Sequence, residues 1–246
     1  MTALNSTDFR SQITVPRNER LIVALDVADA AEAKALVEQL GDSVQFYKVG
    51  MELFMAGGYF ELIDWLGARG KKVFVDLKFF DVPETVRSAI RALAKRNVAF
   101  ATVHGNQAIM EAAGKEKGNL KVLAVTALTS LDKGDLDDLG FQCDISDLVL
   151  SRARRSLEAG CDGIISSGLE APLIRKELGQ RIMVVTPGIR PVENRGSDDQ
   201  KRTVDVAQAF RNGADYIVMG RPIRGAADPK AAAEAVQASI ATVFPE

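Results

Sequence analysis

Short apolar runs alternate with amphipathic helical segments along almost the whole chain. Each apolar run is rich in β-branched residues and is followed, after a short loop, by a segment with helical spacing that often ends in glycine. The eight runs predicted as strands are residues 21–26, 44–50, 72–78, 100–105, 121–128, 163–167, 183–188 and 216–220. The helical segments that follow them are 30–40, 59–68, 83–96, 107–115, 145–159, 171–178, 204–212 and 229–243.

Eight strand–helix units predict an α/β fold of the (β/α)8, or TIM, barrel type. The strand runs are apolar on both faces, as in a parallel sheet that helices cover completely. An open, doubly wound sheet is the alternative, but it seldom reaches eight strands without a change in this rhythm. No linker rich in Gly, Pro or Ser divides the chain. We therefore expect one barrel domain over residues 1–246, with a polar N-terminal extension at about 1–19.

Charged residues stand at the ends of the first three predicted strands. Asp26 ends the first strand, Lys48 lies near the end of the second, and Asp76 and Lys78 end the third, with Asp81 just beyond. Side chains two positions apart in a strand share a face, so Asp76 and Lys78 are expected side by side in the barrel mouth. A salt-bridge network that only fills the barrel is the alternative. Because barrel interiors favour branched apolar residues and catalytic residues lie at the carboxyl ends of strands, these charges predict catalysis.

The ends of strands 7 and 8 predict a phosphate site. Strand 7 ends in TPGIRP at 186–191 and strand 8 in MGRP at 219–222. Glycine lets backbone N–H groups approach an anion closely, and Arg221 adds a charge-assisted contact. In this architecture the loops after strands 7 and 8 are the usual phosphate site. Two long connections, 129–144 and 189–203, lie on the same face, and the second is polar enough to serve as a mobile lid.

Composition excludes several other classes of function. The 246 residues carry 31 basic and 33 acidic side chains, for a formal charge of −2, which does not favour binding to nucleic acid or a membrane surface. With two cysteines far apart and a single histidine, His104, a Cys/His zinc site is not expected. The acidic residues after strand 5 lack the EF-hand spacing, so no metal is assigned. Neither a secretory signal nor a membrane span is found, which predicts a cytoplasmic protein.

The segment DLKFFD at 76–81 resembles the DxKxxD signature of the orotidine 5′-phosphate decarboxylase family and its relatives. Further matching segments follow the family's order over about residues 20–245. They are VALD at 23–26, KVG at 48–50, LTS at 128–130, TPGIRP at 186–191, DDQKR at 198–202 and GRPI at 220–223. The bacterial family often has His where Phe80 stands and Asn where Glu84 stands.

The resemblance implies a role for each matching residue. Asp26 would hold the ribose hydroxyls, Lys48 would bridge the ribose and Asp76, and Lys78 would donate a proton to C6 of the substrate. The resemblance also implies a homodimer with composite active sites, in which Asp81 and Thr85 reach into the partner subunit's site. The other substrate-binding residues that it implies lie near the pyrimidine edge and the phosphate: Thr129, Ser130, Pro187, Arg190, Gln200, Gly220 and Arg221.

The family's reaction is the decarboxylation of orotidine 5′-phosphate to UMP in pyrimidine biosynthesis, without a cofactor. The chain shows no dinucleotide fingerprint and no pyridoxal lysine context. Catalysis is therefore expected to rely on electrostatic stabilisation by charged side chains. Asp76 would disfavour the substrate carboxylate, and Lys78 would stabilise and protonate the carbanion. Two alternatives remain open: a related sugar-phosphate decarboxylase or epimerase, which would need ligands for a divalent cation, and a non-catalytic nucleotide-binding barrel.

Overall fold

A computed structural model describes residues 9–10, 12–190 and 203–245 of the chain. Eight parallel strands close into a barrel in sequence order, each paired with its neighbours and β8 paired with β1. The strands are β1 (Leu21–Ala24), β2 (Phe46–Gly50), β3 (Lys72–Phe79), β4 (Phe100–His104), β5 (Lys121–Val125), β6 (Gly163–Ile165), β7 (Met183–Thr186) and β8 (Tyr216–Met219). The predicted (β/α)8 fold is confirmed.

Helices surround the barrel. They are α1 (Ala30–Leu40), α2 (Met51–Ala56), α3 (Tyr59–Ala68), α4 (Pro83–Leu93), α5 (Gln107–Glu116), α6 (Lys133–Asp138), α7 (Ile145–Glu158), α8 (Ala171–Leu178), α9 (Val206–Arg211), α10 (Arg221–Arg224) and α11 (Pro229–Val243). Their starts follow local chemistry: Asp29 caps α1 by accepting from the N–H groups of Ala31 and Glu32, and Pro83 and Pro229 stand in the first turns of α4 and α11. None of the helices in the described ranges is long and apolar enough to cross a membrane.

The structure corrects several predicted boundaries. Most strands end one to three residues earlier than predicted, because apolar residues continue from the strand into the mouth loop, as after Val125 on β5. Helix α4 ends at Leu93 rather than at residue 96. Three short helices, α2, α6 and α10, were not predicted, since four to six residues carry too little periodicity.

Aromatic side chains fill the barrel interior near the amino ends of the strands. Phe46 and Phe100 lie 4.9 Å apart between ring centroids, and Tyr216 meets Phe100 at 5.1 Å. Phe74 packs against Phe100 with the ring centroids 6.0 Å apart. Val15, from the segment predicted only as a polar extension, is buried in the same cluster. Among the described residues, these side chains occupy the interior near the amino ends of the strands, and the cavity described below lies at the carboxyl ends.

A buried ion pair links the amino ends of β7 and β8. Arg175 on α8 contacts Asp215 at 2.7 Å, with side chains only 2% and 0% exposed. Arg175 also donates to the carbonyls of Gly179, Ile182 and Gly213, and Asp215 accepts from the Val184 N–H. These bonds hold in place the two strands whose other ends carry the predicted phosphate segments.

Candidate active site

The four charges predicted at the strand ends form one continuous network in the barrel mouth. Lys48 Nζ lies 2.7 Å from Asp26 Oδ1 and 3.6 Å from Asp76 Oδ2. Lys78 Nζ lies 3.0 Å from Asp76 Oδ1. The order Asp26–Lys48–Asp76–Lys78 therefore alternates in sign across three neighbouring strands. Such alternation lets charges that would be costly to bury alone stabilise one another.

Burial and neighbouring charge shift the pKa values of Asp76 and Lys48, the two central groups of this network, in opposite directions. Burial by itself would raise the pKa of the Asp76 carboxyl, but Lys48 and Lys78 outweigh it and hold that pKa below its usual value. Burial would likewise lower the pKa of Lys48, but Asp76 and Asp26 outweigh it and raise that pKa. Both groups therefore stay charged at neutral pH. A fixed negative charge at Asp76 is held beside the ammonium group of Lys78.

A cavity of about 330 Å³ opens directly above the network. Apolar side chains of the strands form its floor, among them Phe74, Val125 and Ile165. Most of the predicted substrate-binding residues line it: Asp26, Lys48, Thr129, Ser130, Pro187, Arg190, Gly220 and Arg221. Asp76 and Lys78 line it as well. The charged network and most of the predicted substrate-binding residues therefore line the same cavity.

The end of the cavity near β7 and β8 has the glycine and arginine composition of an anion site. Gly188 has a φ of 76°, a conformation that favours glycine. Arg190 is buried in the segment after β7, where its backbone N–H donates to the Val204 carbonyl at 3.0 Å. Gly220 immediately precedes α10, and Arg221, its first residue, is exposed. Gln200, the remaining residue predicted here, lies outside the described residues.

Asp81 and Thr85 do not join the cavity of their own chain. Both are exposed, and Asp81 Oδ1 accepts from the N–H of Val82 at 2.6 Å. Phe80 and Val82, on either side of Asp81, are 66% and 63% exposed. The loop after β3 therefore presents a carboxylate within an exposed apolar surface.

The single histidine stands next to the site without lining the cavity. His104 ends β4, where its Nδ1 pairs with Asn106 Oδ1 at 2.8 Å and its ring lies 4.5 Å from that of Phe80. Burial, with a smaller effect from Arg152, lowers the pKa of His104, although the bond to Asn106 opposes this. Of the acidic residues after β5, Asp132 and Asp135 form the capping box that starts α6.

Sequence reasoning missed three residues that shape the site. Thr102 on β4 contacts both Asp76 and the backbone of Lys78, but a threonine in a strand carries no signal of its own. Gly50 lies against the network, because a Cβ there would stand 3.1 Å from Lys48 Nζ and 3.3 Å from Asp26 Oδ1. Arg224 also lines the cavity, and its place in α10 could not be known before that helix was seen.

Comparisons with known proteins agree with this geometry. Residues 19–236 match the model of the family described as "Orotidine 5'-phosphate decarboxylase / HUMPS family". A protein of Methylococcus capsulatus named orotidine 5'-phosphate decarboxylase is 68% identical and covers 96% of this chain and 98% of its own. One of the same name from Stenotrophomonas maltophilia is 51% identical, with the same coverage. The crystal structure of orotidine 5'-phosphate decarboxylase from Lactobacillus acidophilus is similar with a TM-score of 0.80, 36% identity and coverage of 90% and 99%.

Proposed function

The chain belongs to the orotidine 5'-phosphate decarboxylase / HUMPS family and is a carboxy-lyase that decarboxylates orotidine 5'-phosphate in pyrimidine biosynthesis, and we propose that Lys78 is the acid that protonates C6 of the product. The observation that carries this role is the contact between Lys78 Nζ and Asp76 Oδ1, 3.0 Å apart at the edge of the cavity. An ammonium group and a carboxylate are thereby offered side by side to one bound substrate.

Loss of CO2 breaks the bond between C6 and the carboxyl carbon and leaves the electron pair on C6. Lys78 Nζ stabilises this developing negative charge and then transfers its proton to C6, which gives UMP. The lysine recovers a proton from solvent before the next turnover. Because the charges are fixed before the substrate arrives, little reorganisation is needed during the reaction.

Asp76 acts on the substrate carboxylate. Its lowered pKa keeps it ionised, so it repels a carboxylate bound beside it more strongly than the neutral CO2 that forms. Lys48 holds Asp76 from the opposite side and also contacts Asp26, which we assign to the ribose hydroxyls. The network thereby links sugar binding to the placement of the reacting groups.

The 5′-phosphate belongs at the other end of the cavity in this proposal. Gly188 and Gly220 leave room for close approach to backbone N–H groups, and Arg221 and Arg190 supply positive charge. Gln200 is assigned to the same group from its place in the sequence. Thr129 and Ser130, which also line the cavity, are assigned to the pyrimidine edge. Phosphate binding far from the reacting carbon then contributes to holding C6 against Lys78.

A spectrophotometric assay of orotidine 5′-phosphate in excess chelator tests the reaction without a metal. We expect full turnover, because the proposed chemistry uses only side chains of the protein. Loss of turnover in chelator, with recovery on adding a divalent cation, would instead mean that the decarboxylation depends on a metal, which the proposed chemistry does not use. Binding of UMP without any loss of substrate absorbance would favour a non-catalytic barrel.

The protein is also proposed to act as a homodimer with composite active sites. Exposed apolar side chains follow the neighbouring strands β2 and β3, and they are Met51, Phe54, Met55, Phe80 and Val82. Apolar surface of this kind, next to a cavity, is typical of an interface. A two-fold axis through this surface would carry Asp81 and Thr85 of one subunit to the cavity of the other, and would give two equivalent sites.

Complementation tests the shared site. Lys78→Ala and Asp81→Ala proteins, each expected to be nearly inactive, are mixed under conditions that exchange subunits. A heterodimer places both lesions in one site and leaves the other intact. About a quarter of wild-type activity should return with random pairing of equal amounts. If mass measurement shows exchange and no activity returns, Asp81 serves its own subunit.

A cytoplasmic location is part of the proposal too. It is supported by Cys143 and Cys161, which are both free thiols.

A further inference from the structure

Three residues of β3 stand opposite a single residue of β4. The two strands pair regularly up to Val75 and Ala101, and pairing resumes with Phe79 and Val103. Residues 76–78 therefore face Thr102 alone, and the regular ladder of hydrogen bonds is interrupted where the two reacting side chains are carried. A bulge of this kind bends a strand and redirects its side chains.

The backbone of Lys78 adopts an unusual conformation within this bulge. Its φ is 48°, and no other non-glycine residue in the described ranges has a positive φ. This region is unfavourable for a side chain with a Cβ, so neighbouring contacts must hold the residue there. The contact at its backbone is with Thr102, whose Oγ1 accepts from the Lys78 N–H at 2.9 Å.

The same hydroxyl also holds the carboxylate. Thr102 Oγ1 donates its proton to Asp76 Oδ1 at 2.9 Å, and this is the oxygen that contacts Lys78 Nζ. Thr102 is itself fully buried, so water does not compete for its hydroxyl. One oxygen atom thus fixes the backbone that aims the ammonium group and the carboxylate beside it.

We propose that Thr102 is a positioning residue of the decarboxylation, which holds Lys78 and Asp76 in register with each other through its hydroxyl group. This inference rests on the roles proposed above for Lys78 and Asp76. Thr102 lies behind the reacting groups and does not line the cavity, so it acts through them. Its loss should change the chemical step rather than the binding of the substrate, because the residues proposed to hold sugar and phosphate stay in place.

Thr102→Val tests the hydroxyl, since valine has nearly the same shape and cannot make either bond. We expect kcat to fall about 10- to 100-fold, as for a small misplacement of reacting groups, with the Kd of UMP within about threefold of wild type. Thr102→Ser keeps the hydroxyl and should restore kcat to within about threefold of wild type. If Thr102→Val does not fold, Thr102→Ala removes the same hydroxyl without adding volume and must show the same selective loss of kcat.

Ser156→Ala is the matched control for the loss of a buried hydroxyl. Ser156 on α7 is fully buried and donates to the Ala153 carbonyl, away from the cavity. This variant should keep wild-type kcat. A kcat within twofold of wild type for Thr102→Val, or equal impairment of the Ser and Val variants, would overturn the proposal. Lys78→Ala, measured alongside, separates the two hypotheses. If Lys78→Ala retains turnover, the proposed role of Lys78 fails. If Lys78→Ala loses turnover while Thr102→Val keeps kcat within twofold of wild type, the positioning role alone fails.

Discussion

Removal of Arg175 should destabilise the barrel strongly while leaving the cavity residues unchanged. Arg175→Met deletes the guanidinium that lies 2.7 Å from Asp215 and keeps much of the volume of the side chain. The variant leaves a carboxylate that is 0% exposed without its cation, and it leaves the carbonyls of Gly179, Ile182 and Gly213 without this donor. The substitution therefore removes the cation in direct contact with this buried carboxylate.

The expected cost is about 3–5 kcal/mol, the usual loss when one partner of a buried pair is removed. For a chain of this length each kcal/mol lowers Tm by about 2–4 °C, so the shift should be roughly 6–20 °C. Arg154, whose side chain is 51% exposed, pairs with Glu177 at 2.8 Å and provides the control. Arg154→Ala should cost less than about 1 kcal/mol, because solvent screens this pair.

Urea unfolding at fixed pH, followed by far-UV circular dichroism, measures both losses. The double variant Arg175→Met/Asp215→Leu should recover part of the stability, because it also removes the buried carboxylate that has lost its guanidinium partner. A loss below about 1 kcal/mol for Arg175→Met would refute the reasoning. The reasoning would also be refuted if the double variant lost more stability than the sum of the losses measured for Arg175→Met alone and Asp215→Leu alone.

Further predictions concern the network, the thiols and the histidine. Gly50→Ala should lower kcat/KM about tenfold by pressing on Lys48 Nζ, whereas Gly134→Ala, on the exposed helix α6, should leave it unchanged. A thiol reagent should label Cys143 in the native protein and spare Cys161, because burial raises the pKa of the Cys161 thiol to about 12; labelling of both at equal rates would contradict this. The single imidazole resonance should titrate below pH 6.5, since burial lowers the pKa of His104. Because the unfolded chain then binds the proton more readily, stability should decline as the pH falls below about 6.5, and His104→Gln should lack that decline.

The barrel and its charged mouth could be predicted because both depend on residue types at regular spacing. Alternating strand and helix patterns indicated eight units, and Asp26, Lys48, Asp76 and Lys78 were visible as charges at strand ends. The local geometry of β3 could not be predicted. The sequence around Lys78 shows neither its positive φ nor the bulge opposite Thr102, since both arise from pairing with a strand 24 residues further along the chain.

Short helices and the surroundings of exposed residues could not be predicted from the sequence either. Helices α2 and α10 have too few residues for a periodic pattern, so the apolar surface on α2 and the place of Arg224 were not foreseen. Asp81 was assigned from the resemblance to a partner subunit's site. Its exposed position in this chain is compatible with that assignment, which stays a prediction until the complementation experiment is done.

The central claim is that Lys78 supplies the proton to C6 beside an ionised Asp76. The most direct measurement compares wild type and Lys78→Ala at saturating orotidine 5′-phosphate in excess chelator, with the Kd of UMP measured in parallel. In the variant, Asp76 keeps its contacts to Lys48 and Thr102, so the site should stay assembled and bind UMP. We predict that kcat falls at least a thousandfold, or about 4 kcal/mol of barrier, while the Kd of UMP stays within about tenfold. Turnover by Lys78→Ala within about tenfold of wild type would contradict the claim.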